Sequence, residues 1–280
     1  MKIEYLLLMF FGLGIINSCA DECDNVVCLN GGICDNGECF CPNGFSGIDC
    51  EIEDVCITHN IDCQNGGTCL DGLCDCLDGY LGTNCERFDS TKVQDLLDGG
   101  RTPLELVNGN IPIDSLYGKF YKGGLIFYVD VNDEIDGIEG MVAAMDDSAV
   151  WGCSGTDIVS LNNVPWNGGN LPDGIGAEIG HGFINTSEIL TACTTNGIAS
   201  KLCRDFGNQW FLPSIKELDL MYTNLDQNGY GDFANDEYWS STEYDADFAW
   251  SKVFKNDFSN GFLALIAKFE NLHVRAAKSF

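Results

Sequence analysis

Sixteen cysteines against three histidines set the chemistry open to this 280-residue chain. A cysteine thiolate can attack an electrophile or bind a metal, or the thiol can be oxidised to a disulfide, and spacing decides among these fates. Twelve of the sixteen fall in two sets of six: Cys23, Cys28, Cys34, Cys39, Cys41 and Cys50, then Cys56, Cys63, Cys69, Cys74, Cys76 and Cys85. Counted in intervening residues, the last four gaps are five, four, one and eight in both sets. The segment is therefore a tandem repeat. Cys39-x-Cys41 and Cys74-x-Cys76 could ligate zinc, but the six-cysteine period and an N-terminal export signal oppose it. For nucleophilic catalysis the one cysteine–histidine pair worth naming is Cys153 with His181, and no third group is at hand to orient it. His59 lies in the repeat and His273 near the C-terminus. Cys153, Cys193 and Cys203 are odd in number. Cys193 and Cys203 flank one predicted helix, so they bridge to each other or one of them reaches Cys153, and a leftover thiol is expected to be buried and inert. The candidates for ligand contact are aromatic and cationic. Trp151, Trp166, Trp210, Trp239 and Trp250 could each stack an indole face on a sugar ring, but for each of them core packing is the better reading; Trp166, in a Gly- and Asn-rich stretch, 162–173, is the one most expected to be exposed. Arg275, on an apolar strand, reads first as a structural ion-pair partner and second as a ligand contact.

The residues between the repeated cysteines resemble the EGF-like module. Asn30-Gly31-Gly32 and Asn65-Gly66-Gly67 precede the third cysteine, and Gly44-Phe45 with Gly47 recurs as Gly79-Tyr80 with Gly82, placing glycines where a tight turn needs positive φ. Spacing alone leaves fifteen pairings open for six cysteines. The resemblance implies Cys23–Cys34, Cys28–Cys39 and Cys41–Cys50, then Cys56–Cys69, Cys63–Cys74 and Cys76–Cys85. Modules this small, roughly 30 to 40 residues, cannot bury enough apolar surface to fold unaided. Crosslinks worth roughly 2 to 4 kcal/mol each replace the core, which places the mature chain in an oxidising compartment. Some EGF-like modules bind calcium just before the first cysteine; Glu51-Ile52-Glu53-Asp54-Val55-Cys56 is one residue out of step with that motif, and an acidic linker at 51–55 is the simpler reading. No cofactor is expected.

Residues 1–18 read as a signal peptide: Lys2, then an apolar run from Tyr5 to Ile16 too short for the roughly 17 to 25 residues of a membrane span. Ile16-Asn17-Ser18-Cys19 resembles a bacterial lipobox, which implies cleavage before Cys19 and lipidation of its thiol, residues 19–22 forming the anchored N-terminus. The alternative is ordinary cleavage near Ala20. The net charge is −29, with fourteen acidic and no basic residues in 20–86 and 28 acidic against 13 basic in 87–280. Nucleic acid and heparin-like ligands need a basic footprint and are disfavoured.

The elements that must position the C-terminal candidates begin after Cys85. Thr91 with Gln94, and Thr102 with Glu105 behind Pro103, are capping-box patterns that predict two short helices in a connector, 86–118. Residues 119–280 suffice for one domain with its own core. A hairpin is predicted from Gly124–Val129 and Gly140–Met145. Its acidic turn carries Asp130, Asn132 and Glu134 but has Ile135 where an EF-hand loop needs glycine. One helix is predicted with Ile198, Leu202 and Phe206 on one face. A second, capped by Ser214 and Glu217, would bury Ile215, Leu218, Met221, Tyr222 and Leu225. Strands are predicted at 238–242, 248–254, 262–269 and 272–277. The class is α+β with a mainly antiparallel sheet, preceded by small disulfide-rich modules.

Tyr121-Lys122-Gly123-Gly124-Leu125-Ile126-Phe127-Tyr128, Trp151-Gly152-Cys153, Trp210-Phe211-Leu212-Pro213-Ser214, Tyr238-Trp239-Ser240-Ser241-Thr242-Glu243, Ala249-Trp250 and Val274-Arg275-Ala276 resemble the C-terminal domain family of collagen-like bacterial adhesins, a family of unknown function. The same motif order is similar to C-type-lectin-like and sulfatase-modifying-factor folds. It implies a C-type-lectin-like architecture and binding more than chemistry. The calcium-lectin motifs are missing, and Lys278 stands where arginine is usual. The expectation is a lipid-anchored surface protein of a bacterium, no enzyme, whose EGF-like spacer presents a domain that binds an extracellular carbohydrate or protein. The alternatives are a structural envelope protein whose C-terminal domain oligomerises or docks and, third, an enzyme of the sulfatase-modifying fold.

Overall fold

The computed structural model describes residues 22–158, 164–168, 170–255 and 261–280, Met145 by its backbone alone. The signal peptide and the Cys19 lipidation site lie outside the described residues.

The chain divides into two compact units: residues 22–76 with Gly82–Glu86, and Leu77–Leu81 with Arg87–Phe280. In the first, short hairpins hang on crosslinks. β1 (Ile33–Asp35) pairs with β2 (Glu38–Phe40), β3 (Phe45–Ser46) with β4 (Ile52–Glu53), and, after the one-turn helix α1 (Val55–Thr58), β5 (Thr68–Leu70) with β6 (Leu73–Asp75). Six disulfides join Cys23–Cys34, Cys28–Cys39, Cys41–Cys50, Cys56–Cys69, Cys63–Cys74 and Cys76–Cys85. Gly44 and Gly79 both sit at φ +88° in matching turns, a conformation that suits glycine. Two acidic groups near the module junction are engaged by backbone: Asp54 caps α1 by accepting from Cys56 N and Ile57 N, and Glu51 accepts from Asp49 N.

The second unit opens with β7 (Tyr80–Leu81) against β8 (Arg87–Phe88), then α2 (Val93–Asp98) and α3 (Pro103–Asn108). The Thr102–Glu105 capping box forms at α3. The Thr91–Gln94 box does not. Asp89 caps a single turn at Ser90–Lys92, and Gln94 uses its amide on both the N–H and the carbonyl of Phe120.

The main sheet has seven strands: β9 (Phe120–Tyr121), β10 (Gly124–Val129), β11 (Gly140–Val150), β12 (Glu237–Glu243), β13 (Phe248–Val253), β14 (Leu263–Ala267) and β15 (Asn271–Ser279). Their order is β14-β13-β12-β15-β11-β10-β9, antiparallel throughout except for the parallel contact of β12 with β15. The C-terminal strand thus lies centrally, which suits its buried Val274, Ala276 and Ala277. In the β10–β11 turn, Asp130 accepts from Glu134 N and Ile135 N, so the expected EF-hand-like positions form a self-contained turn.

Three helices accompany the sheet: α4 (Gly182–Ala192), α5 (Ala199–Asp205) and α6 (Ile215–Asn224). On α6 the predicted face is the buried face, Ile215, Leu218, Met221, Tyr222 and Leu225 packing with Phe127, Met141, Phe211 and Tyr238. At roughly 1.5 to 3 kcal/mol per large apolar side chain, this seam dominates the core. On α5 the expected face holds in part: Ile198 at the N-cap is fully buried and Leu202 half-buried, but Phe206 is exposed, and the helix itself buries Ala199, Ser200 and Cys203. Small residues on that side let the helix approach the sheet closely.

Cys193 bonds to Cys153, not to Cys203, so the Cys193–Cys203 pairing is corrected and Cys203 remains a fully buried thiol whose pKa burial pushes well up. The Cys153–His181 nucleophile pair has no free thiol. Peptide mapping under non-reducing conditions should recover a Cys153–Cys193 crosslink, with Cys203 alkylated only after unfolding; a Cys193–Cys203 crosslink, or labelling of Cys203 in the folded protein, would contradict this arrangement.

Candidate functional site

The connection between β11 and α4, Trp151 to His181, is long for a segment whose regular structure, among the described residues, is one turn at Ile175–Ala177. Connections of that kind are uncommon in compact domains and are usually functional. Its buried backbone needs partners, and side chains of the folded core supply them. Gly152, at φ +99°, could not carry a side chain, because a Cβ would stand 2.5 Å from Ile198 Cγ2. Cys153 is tied to Cys193. Ile158 N donates to the Glu243 carboxylate at 3.1 Å, and Lys268 Nζ pairs with that carboxylate while donating to Thr156 O at 3.0 Å. Both partners of this ion pair are completely buried, and the ammonium sits 4.6 Å over the Trp151 ring. Burial raises the Glu243 carboxyl above its ordinary range, and Lys268 pulls it back down.

Further along, Val164 N donates to Glu243 O at 2.9 Å and Val164 O accepts from Trp250 Nε1 at 2.8 Å. Gly176 O takes both Thr242 Oγ1 and Asn185 Nδ2. At the far end a second buried carboxylate gathers the chain. Glu217, the reciprocal half of the Ser214 cap, accepts from Ser214 N and Gly180 N, each at 2.8 Å, and from Gly182 N at 3.3 Å. Gly182 must be glycine there, since a Cβ would lie 2.2 Å from Glu217 Oε2. Burial outweighs these three donors and pushes the Glu217 pKa up to about 7.

What the anchored connection presents is Trp166. Its ring is parallel to that of buried Trp250, interplanar angle 1° and centroids 5.4 Å apart, and it is 49 % exposed. One indole face is thus backed by a fully buried ring while much of the side chain meets solvent. Trp151, Trp239 and Trp250 are fully buried and Trp210 nearly so. Arg275 departs from expectation: it is 2 % exposed, and its partners are backbone carbonyls, Ala144 O at 2.7 Å and Gly231 O, with the Phe233 ring 4.0 Å beneath the guanidinium. It is held by carbonyls and an aromatic face in place of the expected carboxylate. Two features escaped the sequence reading. A recess of about 780 Å³ is lined by Tyr117, Asn224, Asp226, Gln227 and Tyr230, and a smaller cavity beside β9 includes Arg275 and Asp146. Paired tyrosines amid amides and carboxylates were the available signal for the first; the second joins strands far apart in sequence.

Because Glu217 titrates near 7 folded but near the ordinary carboxylate value unfolded, its folded form binds the proton more tightly. Its contribution is fully present below about pH 4.5 and is lost as pH rises through 7, roughly 3 kcal/mol in all. Glu217→Gln should flatten the fall in unfolding free energy between pH 5 and 8 relative to the parent protein; parallel pH profiles would show that Glu217 is ionised throughout.

Two likenesses to known proteins stand beside this geometry. The family model described as EGF-like domain matches residues 56–85, the second cysteine module. Among solved structures, the chain is similar to a fimbrial protein from Bacteroides ovatus, with 13 % sequence identity and a TM-score of 0.40 over 56 % of this chain and 44 % of that one.

Proposed function

We propose that this is an exported protein, held at a bacterial surface by a lipid on Cys19, whose C-terminal unit binds an extracellular carbohydrate while the EGF-like modules serve as a disulfide-stiffened spacer. The reading is of a binding protein, not an enzyme. The observation that carries it is Trp166, a half-exposed indole stacked flat on the buried Trp250. A backed aromatic plane offers the apolar face of a sugar ring a large contact at little entropic cost, the same economy that favours aromatic anchors at other interfaces. The six crosslinks of the modules suit an oxidising compartment. No helix among the described residues is long and apolar enough to cross a membrane. The net charge of −29 favours neutral glycans over anionic ones.

A second reading, in which the domain assembles with copies of itself, draws on the edge strand β14 and the exposed Phe248, Phe262 and Phe269 around it. Light scattering on the whole chain separates the two.

On an array of neutral glycans the whole chain should bind saturably, and Trp166→Ala should weaken that binding about ten- to thirtyfold, worth roughly 1.4 to 2 kcal/mol, while lowering the melting temperature by only a few degrees, so that the variant stays folded at assay temperature. A blank array, or undiminished binding by the variant, would sink the proposal.

A further inference from the structure

The recess of about 780 Å³ opens at the C-terminal end of α6, lined by the turn Asp226–Asn228 and by the segment that carries Asp114 and Tyr117. Its amide side chains have committed their hydrogens to the fold. Asn228 Nδ2 donates to Thr223 O at 3.1 Å and to Asn224 O at 3.3 Å, Asn224 Nδ2 to Phe127 O at 2.9 Å, and Gln227 Nε2 to Tyr222 Oη at 3.0 Å. What they offer a ligand is chiefly carbonyl oxygen. Two carboxylates add to these acceptors. Asp226 is half-buried, yet among the described residues no hydrogen bond or ion pair engages its carboxylate, and both oxygens are open to solvent. Burial pushes its pKa up, and Arg275, itself spent on backbone carbonyls, pulls it only partly back. Asp114 is exposed beside Tyr117, whose hydroxyl pKa is raised by burial and by the Asp114 charge. No lysine or arginine among the described residues lines the recess. The negative end of the α6 dipole lies there too. Two tyrosines give it aromatic walls. Tyr230 is 43 % exposed, its N–H donates to Leu225 O, and its ring rests on Gly118, where a Cβ would stand 2.5 Å from Tyr230 Cγ.

This lining selects its ligand by charge and by donor count. A phosphate or carboxylate would bring acceptors to acceptors and the wrong sign of charge. A bare divalent ion needs several ligating groups close together, and no cluster of three or more His, Cys, Asp or Glu that could hold one occurs among the described residues. A neutral alcohol leaves the charge unmatched, and a quaternary ammonium has no donor. A primary ammonium brings three donors, a positive charge for Asp226 and Asp114, and an alkyl stem that can lie on a tyrosine face. We propose that the recess at the end of α6 binds the primary ammonium of an aliphatic amine. This site is separate from Trp166 and does not depend on the carbohydrate reading.

Isothermal titration of the whole chain tests it at about 0.15 M salt, where the Debye length is about 8 Å and the diffuse charge of −29 is screened. Putrescine represents a free diamine and Nα-acetyl-lysine methylamide a lysine of a protein ligand; at least one should bind saturably, and the tighter of the two names the source. Butanediol, the neutral analogue of putrescine, should not bind. Asp226→Asn keeps the shape and removes the charge, and should weaken binding about tenfold, whereas Asp24→Asn, at an exposed position of the first EGF-like module, should leave it unchanged. Tyr230→Leu should weaken binding severalfold; if that variant fails to fold, amide resonances of 224–230 that move on titrating the parent protein locate the site instead. Absence of saturable binding, equal binding of butanediol, equal losses in Asp24→Asn and Asp226→Asn, or resonance shifts that leave 224–230 unmoved would overturn the proposal.

Discussion

Buried backbone must be hydrogen-bonded, and the C-terminal unit carries an unusually long connection, Trp151 to His181, that has to meet this demand with, among the described residues, one 3-10 turn of its own at Ile175–Ala177. Two buried carboxylates do most of the work. Glu243 collects Ile158 and, through Lys268, Thr156; Glu217 collects Gly180 and Gly182. The backbone carbonyl of Glu243 and the indole of Trp250 then fix Val164, two residues before Trp166. Burying a charge is costly in itself, and a buried ion pair is weak evidence of stability. What it supplies here is placement: the connection can lie only where both carboxylates and Lys268 find their partners.

The same logic explains β12. Along this strand Tyr238 through Glu243 are buried without exception. Trp239 and Tyr238 point to opposite faces, so the sheet is covered on both sides there. Ser240, Ser241 and Thr242 are polar residues in a core position because each meets a partner from another element: Ser240 Oγ donates to Trp250 O, Ser241 Oγ accepts from Asn185 Nδ2, and Thr242 Oγ1 links Gly176 O to Ile215 N. The Trp-Ser-Ser-Thr-Glu run is thus a row of sockets for β13, α4, the connection and the start of α6.

Local and covalent features were legible in the sequence. Cysteine spacing marked the modules because crosslinks replace a core there, and the Ser214–Glu217 box with its apolar stripe marked α6 because both signals lie within one helix. Strands β12 to β15 followed from apolar runs. Features made by distant partners were not. The Asp146–Arg275 juxtaposition exists only once β15 inserts beside β11, and nothing near Lys268 announces that it pairs with Glu243. On α5 only Phe206 was misread, because Ala199, Ser200 and Cys203, small rather than strongly apolar, pack alongside Ile198. Gln94 left its capping box because Phe120, 26 positions on, offered both an N–H and a carbonyl. Trp166 was legible as exposed from its polar surroundings, but the Trp250 ring beneath it was not.

Hydrogen–deuterium exchange across 151–181, in the whole chain and in Lys268→Met, tests most directly whether buried side chains hold the connection in place. The account predicts slow exchange at Ile158, Val164 and Gly180 in the parent protein and faster exchange at Ile158 and Val164 once the Glu243 carboxylate has lost its ammonium. Fast exchange at these amides in the parent protein, or an unchanged pattern in the variant, would contradict it.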